Sequence, residues 1–590
     1  MIAKVIKKNK VFILGMFFFG IIYCILIVHM YPLHTPSEEI GALSGAALLA
    51  GYDWSNVVSS DCSYYGIGFY SICTFLFRFL KDPITIYRCI IGINAFIRLS
   101  IALISYYIGK KYFKIENTVL LSIVSLIIPL LQISRISRGA HNDLVMDGLL
   151  WIVVFLICRL IHGRSKRERF SSLFGLVIAL LYGLTIHTRW LVVVFAVIIV
   201  LLFGCLFEHK RYVSFAVFLV MLGCLYPLST KLIEGIKENI WNTSGYLTNG
   251  QITVSDKINY FSPNTWKLWA DIILGNLSTW VIVSGGFASF IILTLICFCV
   301  YKIRTRENSE HDTYVCMIAS LSFICMAATL LGLLVSEWTV GMFEGYISGK
   351  YEGYSFKAMT YLRYWGVYAS PLALCAIAVA EKYKLWKVIK KSILITNIVF
   401  VAGFFMRILP YIENNKDALV NSFIGISGIK YDSKLLSYEY FLIAIIISLQ
   451  MIFLLNILIT CNRTSVAMFI VLVFLTLQMI SAIWNYDIPQ QKMFYYSVDQ
   501  VIEYYYSLEE SELPQKLYVI EKDAKRNNNF KQSVLVQFYI FDRKIYSNMP
   551  DKFVKGDAII SREDISDYIL NEYSYEEIKL DDNEFWYWIQ

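Results

Sequence analysis

The sequence predicts an all-α polytopic membrane protein that carries a small α/β domain at its C-terminal end. Three observations make that prediction. Charged residues are only 17% of the 590, against about 25% in soluble domains. The 57% that are hydrophobic gather in runs close to the roughly 20 residues a helix needs to cross a bilayer. After residue 485 the runs shorten and alternate with polar segments, as strands and short helices do.

The candidate spans lie near 11–30, 84–108, 117–135, 144–161, 170–187, 190–207, 213–230, 270–300, 314–335, 362–380, 391–411, 437–461 and 464–485, about thirteen in all. Basic clusters test the count, because they collect on the cytoplasmic side. Lys4, Lys7, Lys8 and Lys10 come first, then Lys110, Lys111 and Lys114, then HGRSKRER (162–169). His209–Arg211, KIRTR (302–306), EKYKLWKVIKK (381–391) and Arg463 follow. All fall in alternate loops, which puts the N-terminus in the cytoplasm and the C-terminal domain outside. The apolar segment Tyr64–Leu80 is short and bracketed by Gly66, Gly68, Arg78 and Lys81. As a full span it would invert every later cluster, so an interfacial or re-entrant helix is expected there.

The chain thus divides into a membrane domain, 1–485, whose first outer loop is 31–83, and an extracytoplasmic domain, 486–590. In the latter, KLYVI (516–520), SVLVQFYIF (533–541) and DAIIS (557–561) read as strands. Ser497–Leu508 and Arg562–Leu570 read as helices.

Composition excludes other classes. The net charge of +8 is spread in short clusters between apolar runs, so it serves topology rather than nucleic-acid binding. Nearly all 13 cysteines lie inside apolar runs, where they pack as small hydrophobes, and no disulfide or zinc-type spacing is present. MIAKVIKKNK and the run after it resemble a signal peptide without a small-residue cleavage site, so an uncleaved first span is expected. The absence of outer disulfides and sorting signals points to a bacterial plasma membrane. The sequons at Asn242 and Asn276 carry no weight in that setting.

Four outward-facing groups could carry chemistry. The first is Glu38 and Glu39, in PSEE just beyond the first span. Carboxylates so close to hydrocarbon are costly and mark a functional site by default, although Ser37 could equally cap an ordinary loop helix favoured by two first-turn acids. The second is SRISRGAHNDLVMD (134–147), with Arg138, His141, Asn142 and Asp143. The third is HTRW (187–190), with His187 and Arg189; the fourth is YLRYW (361–365), with Arg363. A guanidinium fork holds two phosphate oxygens at once, and a partly dry carboxylate can serve as a general base. Each Arg could instead snorkel to a lipid headgroup. Together the parts suit a lipid-linked phosphate donor and an acceptor hydroxyl.

The order of these features resembles the GT-C superfamily. An acidic pair follows the first span, an aromatic segment leads into the second, and an Arg…Asp motif follows the third. Within that superfamily the chain is similar to the protein O-mannosyltransferase and lipid A aminoarabinose transferase group, which works on polyprenyl-phosphate sugars. The resemblance implies that one acid of PSEE is the catalytic base, Glu38 with Glu39 in reserve, and that Asp143 assists at the acceptor or metal side. It places Tyr64 and Tyr65 where the group usually carries a Lys-Pro-Pro element contacting the donor, which this sequence lacks. Phosphate binding then passes to Arg138, Arg189 or Arg363, with His141, Asn142 and His187 close by. Glu38, Glu39, His141 and Asp143 could hold a divalent cation or act without one.

The expected function is transfer of a sugar from a polyprenyl-phosphate donor to a glycan, lipid or protein acceptor on the outer face, in cell-envelope glycan or protein glycosylation. Two other classes compete. A lipid-linked glycan transporter would place its charges at mid-span in repeated halves, whereas here they gather at outer span ends. A polysaccharide polymerase or ligase would concentrate its site in one large late loop, for which 336–361 is the candidate.

Overall fold

The computed structural model describes residues 9–62, 66, 68–131, 138–207, 215–240, 262–305, 309–338, 340–349, 358–412, 423, 425–430, 438–520, 531–562, 564–565, 573–581 and 584–590. Tyr64 and Tyr65 fall outside them, as does most of 562–570. Among the described residues, 12 helices are long and apolar enough to cross a membrane, with Thr118–Leu130 a shorter apolar helix beside them.

The first span is Lys10–Val28. The chain then turns at Leu33, a non-glycine residue at φ 66, into the helix Pro36–Ala50. Thr35, not Ser37, holds the N-cap position, and Pro36 takes the first helical place, where its missing N–H and fixed φ cost nothing. Both acids therefore lie inside the first turn and a quarter. Three short helices follow, Ser55–Asp61, Gly68–Ile72 and Thr74–Phe79, before the second span, Pro83–Lys111. The described residues of 68–80 form the last two of these short helices and no full span.

The segment 270–300 differs from its sequence reading. It forms no single span but the end of one helix, Pro263–Val283, and most of another, Phe287–Thr305. The break is at Gly285 and Gly286, both at positive φ (60° and 87°), a backbone that glycine alone adopts without strain. A run of apolar composition spans that break without a gap, so hydropathy could not reveal it.

Arg363–Lys382 is the central helix, buried along nearly all of its length. Gly366, Ala369, Ser370, Ala373, Ala376, Ala378 and Ala380 keep its surface narrow enough for neighbouring helices to approach closely. Its N-terminal residue is Arg363, so the most enclosed of the described spans carries a guanidinium at its first position. The last span starts as Thr464–Ala482, passes through a π-helical turn, Ile483–Asp487, and runs on as Ile488–Tyr496 to reach the C-terminal domain.

That domain is a five-stranded sheet of β1 (Leu517–Ile520), β2 (Ile545–Tyr546), β3 (Ala558–Ser561), β4 (Tyr575–Asp581) and β5 (Glu584–Ile589), in the order β2-β1-β3-β5-β4. β1 pairs parallel with β2 and β3, whereas β5 runs antiparallel between β3 and β4, with Ile560 opposite Trp586. The segment 533–541 is not a strand. It lies mainly in the helix Gln532–Tyr539, buried at every position. A short continuous apolar run fits a buried helix as well as a buried strand, and periodicity cannot separate them.

Candidate functional site

Glu38 and Glu39 are neighbours on a helix, so their side chains leave it about 100° apart. They meet different surroundings. Glu39 is fully buried. Its Oε2 accepts from the backbone N–H of His34 and from that of Thr35 (2.8 Å), and its Oε1 from the Ala140 N–H (2.6 Å) and the Tyr87 hydroxyl (2.8 Å). Four donors leave this carboxylate little capacity for chemistry. It is a knot that ties the start of its own helix to the 139–140 loop. Gly139 is needed beside it, since a Cβ there would lie 2.7 Å from Glu39 Oε1.

Glu38 points the other way, and its side chain is 28% exposed. Its Oε2 lies 3.2 Å from Arg363 Nη2 and 3.6 Å from His141 Nδ1. His141 Nε2 meets Thr35 Oγ1 at 2.6 Å, which fixes the ring. Burial acts to raise the Glu38 carboxyl, but Arg363, with His141, more than offsets it and holds the group below the usual carboxylate range. Burial moves His141 the other way, below the usual histidine range, against the pull of the two glutamates.

Behind Glu38 sits Asp143, 1% exposed, in the first turn of Asn142–His162. Arg189 Nη2 donates to its Oδ1 at 2.8 Å and Arg363 Nε to its Oδ2 at 3.0 Å. Arg363 thus bridges the two acids, Glu38 and Asp143. Arg189 is 20% exposed, and its guanidinium lies 4.8 Å over the Tyr364 ring. His187 packs against it: its Nδ1 accepts from the Arg189 backbone N–H at 3.0 Å. That bond requires an unprotonated Nδ1, in keeping with a pKa well below the usual range through burial and the Arg189 charge.

The sequence-predicted residues therefore separate into groups. Glu38, His141, Asp143, His187, Arg189 and Arg363 come together in one cluster. Asn142 serves as a strut, donating to the carbonyls of Ile186 (2.8 Å) and Gly66 (3.3 Å). Arg138 is held elsewhere: its Nε and Nη2 reach the two oxygens of Asp487 at 2.7 and 3.1 Å. His34 Nε2 meets the same carboxylate at 2.9 Å. Sequence reasoning passed over Asp487 and His34, although an acid at the end of an apolar span was the signal for one. It also passed over Tyr87, which no motif marks. Among the described residues, no group of three or more His, Cys, Asp and Glu side chains is placed to hold a metal ion.

Chemically, the cluster offers one accessible carboxylate, kept ionised by a neighbouring guanidinium, and a second guanidinium at the opening beside an aromatic face. Both cations are already paired with Asp143. They are thereby fixed in place and do not have to reorganise around a new anion.

No family model and no curated protein matches the chain. Solved structures do, among them two states of one protein. ArnT from Cupriavidus metallidurans bound to undecaprenyl phosphate aligns with a TM-score of 0.55 at 10% identity, over 98% of this chain and 97% of that one. The apo state of the same ArnT gives 0.54 at 11% identity, over 97% of each. At such identity the likeness is one of fold, and it extends from the first span through the C-terminal sheet. The chain is accordingly a fold relative of ArnT.

Proposed function

We propose that this protein is a membrane glycosyltransferase that moves a sugar from a polyprenyl-phosphate donor to an acceptor hydroxyl on the outer face of a bacterial plasma membrane. One observation carries the reading. Glu38 is the accessible acid of the pair, and the guanidinium beside it, Arg363, belongs to an Arg–Asp–Arg array that opens on the same side. A polyprenyl phosphate is an anion on an apolar chain, and the solved fold relative was bound to one, undecaprenyl phosphate.

In this reading the acceptor oxygen attacks the anomeric carbon while the bond from that carbon to the phosphate oxygen breaks. The acceptor proton passes to Glu38, and the electron pair of the broken bond stays on the phosphate. Arg189 and Arg363 stabilise the charge that grows there. Attack opposite the leaving group inverts the anomeric centre. Glu39 acts on the reaction only by holding the turn. Role, envelope destination and orientation in the membrane all belong to this proposal.

The test uses purified protein in nanodiscs with a panel of radiolabelled polyprenyl-phosphate sugars, wild type beside Glu38→Gln. Sugar release by wild type and its fall by about 100-fold or more in the variant, the low end of what a general base contributes, supports the assignment. Undiminished release by Glu38→Gln would remove Glu38 from the base role. Labelled lipid crossing proteoliposomes with no release would replace the transferase by a transporter.

A further inference from the structure

The turn that carries the acids is held from behind by the C-terminal domain. Of the four donors on Glu39, one is the hydroxyl of Tyr87, a fully buried residue of the second span. That hydroxyl accepts in turn from Gln491 Nε2 at 3.4 Å, and Gln491 Oε1 accepts from the Tyr31 N–H at 3.2 Å. The Tyr87 ring stands edge-on to Phe538, with centroids 6.1 Å apart and planes at 88°, a favoured arrangement of two aromatic quadrupoles.

Phe538 belongs to the helix Gln532–Tyr539 of the C-terminal domain, and that helix is fastened to the same outer loop that bears the acids. Buried Asp61 accepts from Lys531 Nζ at 2.5 Å and from Ser533 Oγ at 2.7 Å. Trp54 Nε1 donates to the Phe541 carbonyl at 2.9 Å, and Asn56 Oδ1 accepts from the Ser547 N–H at 2.9 Å. A domain appended only to gather an acceptor would need none of this. Charged, aromatic and amide contacts all converge on the segment that runs from Tyr31 to Asp61.

We propose that the C-terminal domain is a clamp on the acid-bearing turn and that Tyr87 is the positioning residue through which it acts. Phe538 and Gln491 fix the phenol. The phenol fixes Glu39, and Glu39 fixes the backbone from which Glu38 projects toward Arg363. The clamp rests on the proposed function only for its effect on rate, since the contacts themselves are independent of any reaction.

The test compares the full-length protein with Tyr87→Phe, which keeps the ring and removes the O–H, and with Phe538→Leu, which keeps an apolar side chain and removes the ring. Amide exchange is followed in peptides covering 31–39 and 138–141. Both variants should speed exchange at the Glu39-bound amides of His34, Thr35 and Ala140 about ten-fold, since local opening sets that rate. With the same preparations, kcat for sugar transfer should fall about ten-fold while the donor KM stays within about two-fold, as expected when geometry rather than binding is lost. Unchanged exchange in both variants would overturn the clamp. Faster exchange with unchanged kcat would overturn the positioning role. A wild type that transfers no sugar overturns the proposed function alone, and the exchange comparison then decides the clamp by itself.

Discussion

Two adjacent glutamates with opposite fates show how much one residue's direction decides. Nothing in the letters of PSEE distinguishes them, because both stand at the start of the same helix, in its first turn. What separates them is the 100° of helical rotation between successive side chains, which turns Glu39 into the bundle and Glu38 toward the opening. That acids and guanidinium groups gather was legible. The partners were not, since Arg363 and Asp143 are 220 residues apart in sequence and their 3.0 Å contact exists only in the fold. The same geometry sets a pH dependence. Glu38 lies below the usual carboxylate range, so its base form persists through neutral pH and is lost only as pH falls through that lowered value. Arg363→Gln removes the main lowering influence and leaves burial, which raises the group. The acid limb of the kcat/KM profile should therefore move to higher pH in Arg363→Gln. A limb that stays in place would mean that another group titrates there.

Among the elements, the π-helical turn Ile483–Asp487 is the one hydropathy could least reveal. A π-turn inserts one extra residue into the helix, a feature found often at functional positions, and here it delivers Asp487 to Arg138 and His34. The last span is thereby bolted to the two loops that carry His34 and Arg138. Removing one partner of a buried ion pair costs about 3–5 kcal/mol, because the remaining charge stays in a dry site. Asp487→Ala should accordingly lower the thermal unfolding midpoint of the detergent-solubilised protein sharply. The exposed Asp551→Ala, within about 0.5 kcal/mol of wild type, should leave it in place. Equal midpoints for the two would show that the Arg138 pairing contributes nothing. Elsewhere the elements were legible where physics speaks through length and punctuation: span lengths from bilayer thickness, and the β1 and β3 runs from their short apolar stretches. They were illegible at Gly285–Gly286, where a helix break hides inside apolar composition, and at 533–541, where a buried helix has the composition of a buried strand.

For the whole molecule, the alternation of basic clusters is a statement about sides. Lys and Arg are retained on the cytoplasmic face during insertion, and the clusters at 162–169, 302–306 and 381–391 belong to one face in that reading. The fold agrees internally. Asp312 gathers Lys302 at 3.0 Å and Lys382 at 3.1 Å, so two of those clusters meet at one end of the bundle. Glu38, Asp143, Arg189 and Arg363 meet at the other end, on the side where the C-terminal domain docks. A polyprenyl-phosphate donor can be used only on the side where this cluster opens, so the proposed function needs the cluster and the domain to be extracytoplasmic. The prediction is made with one cysteine added at an exposed position, in a background where exposed Cys24, Cys224, Cys299 and Cys461 are replaced by Ser. Glu510→Cys, in the C-terminal domain, should react with a membrane-impermeant maleimide in intact cells. Arg167→Cys, in the 162–169 loop, should react only after the membrane is opened. Labelling of Arg167→Cys first would place the acid cluster in the cytoplasm, and a donor presented on the outer face could then not reach Glu38.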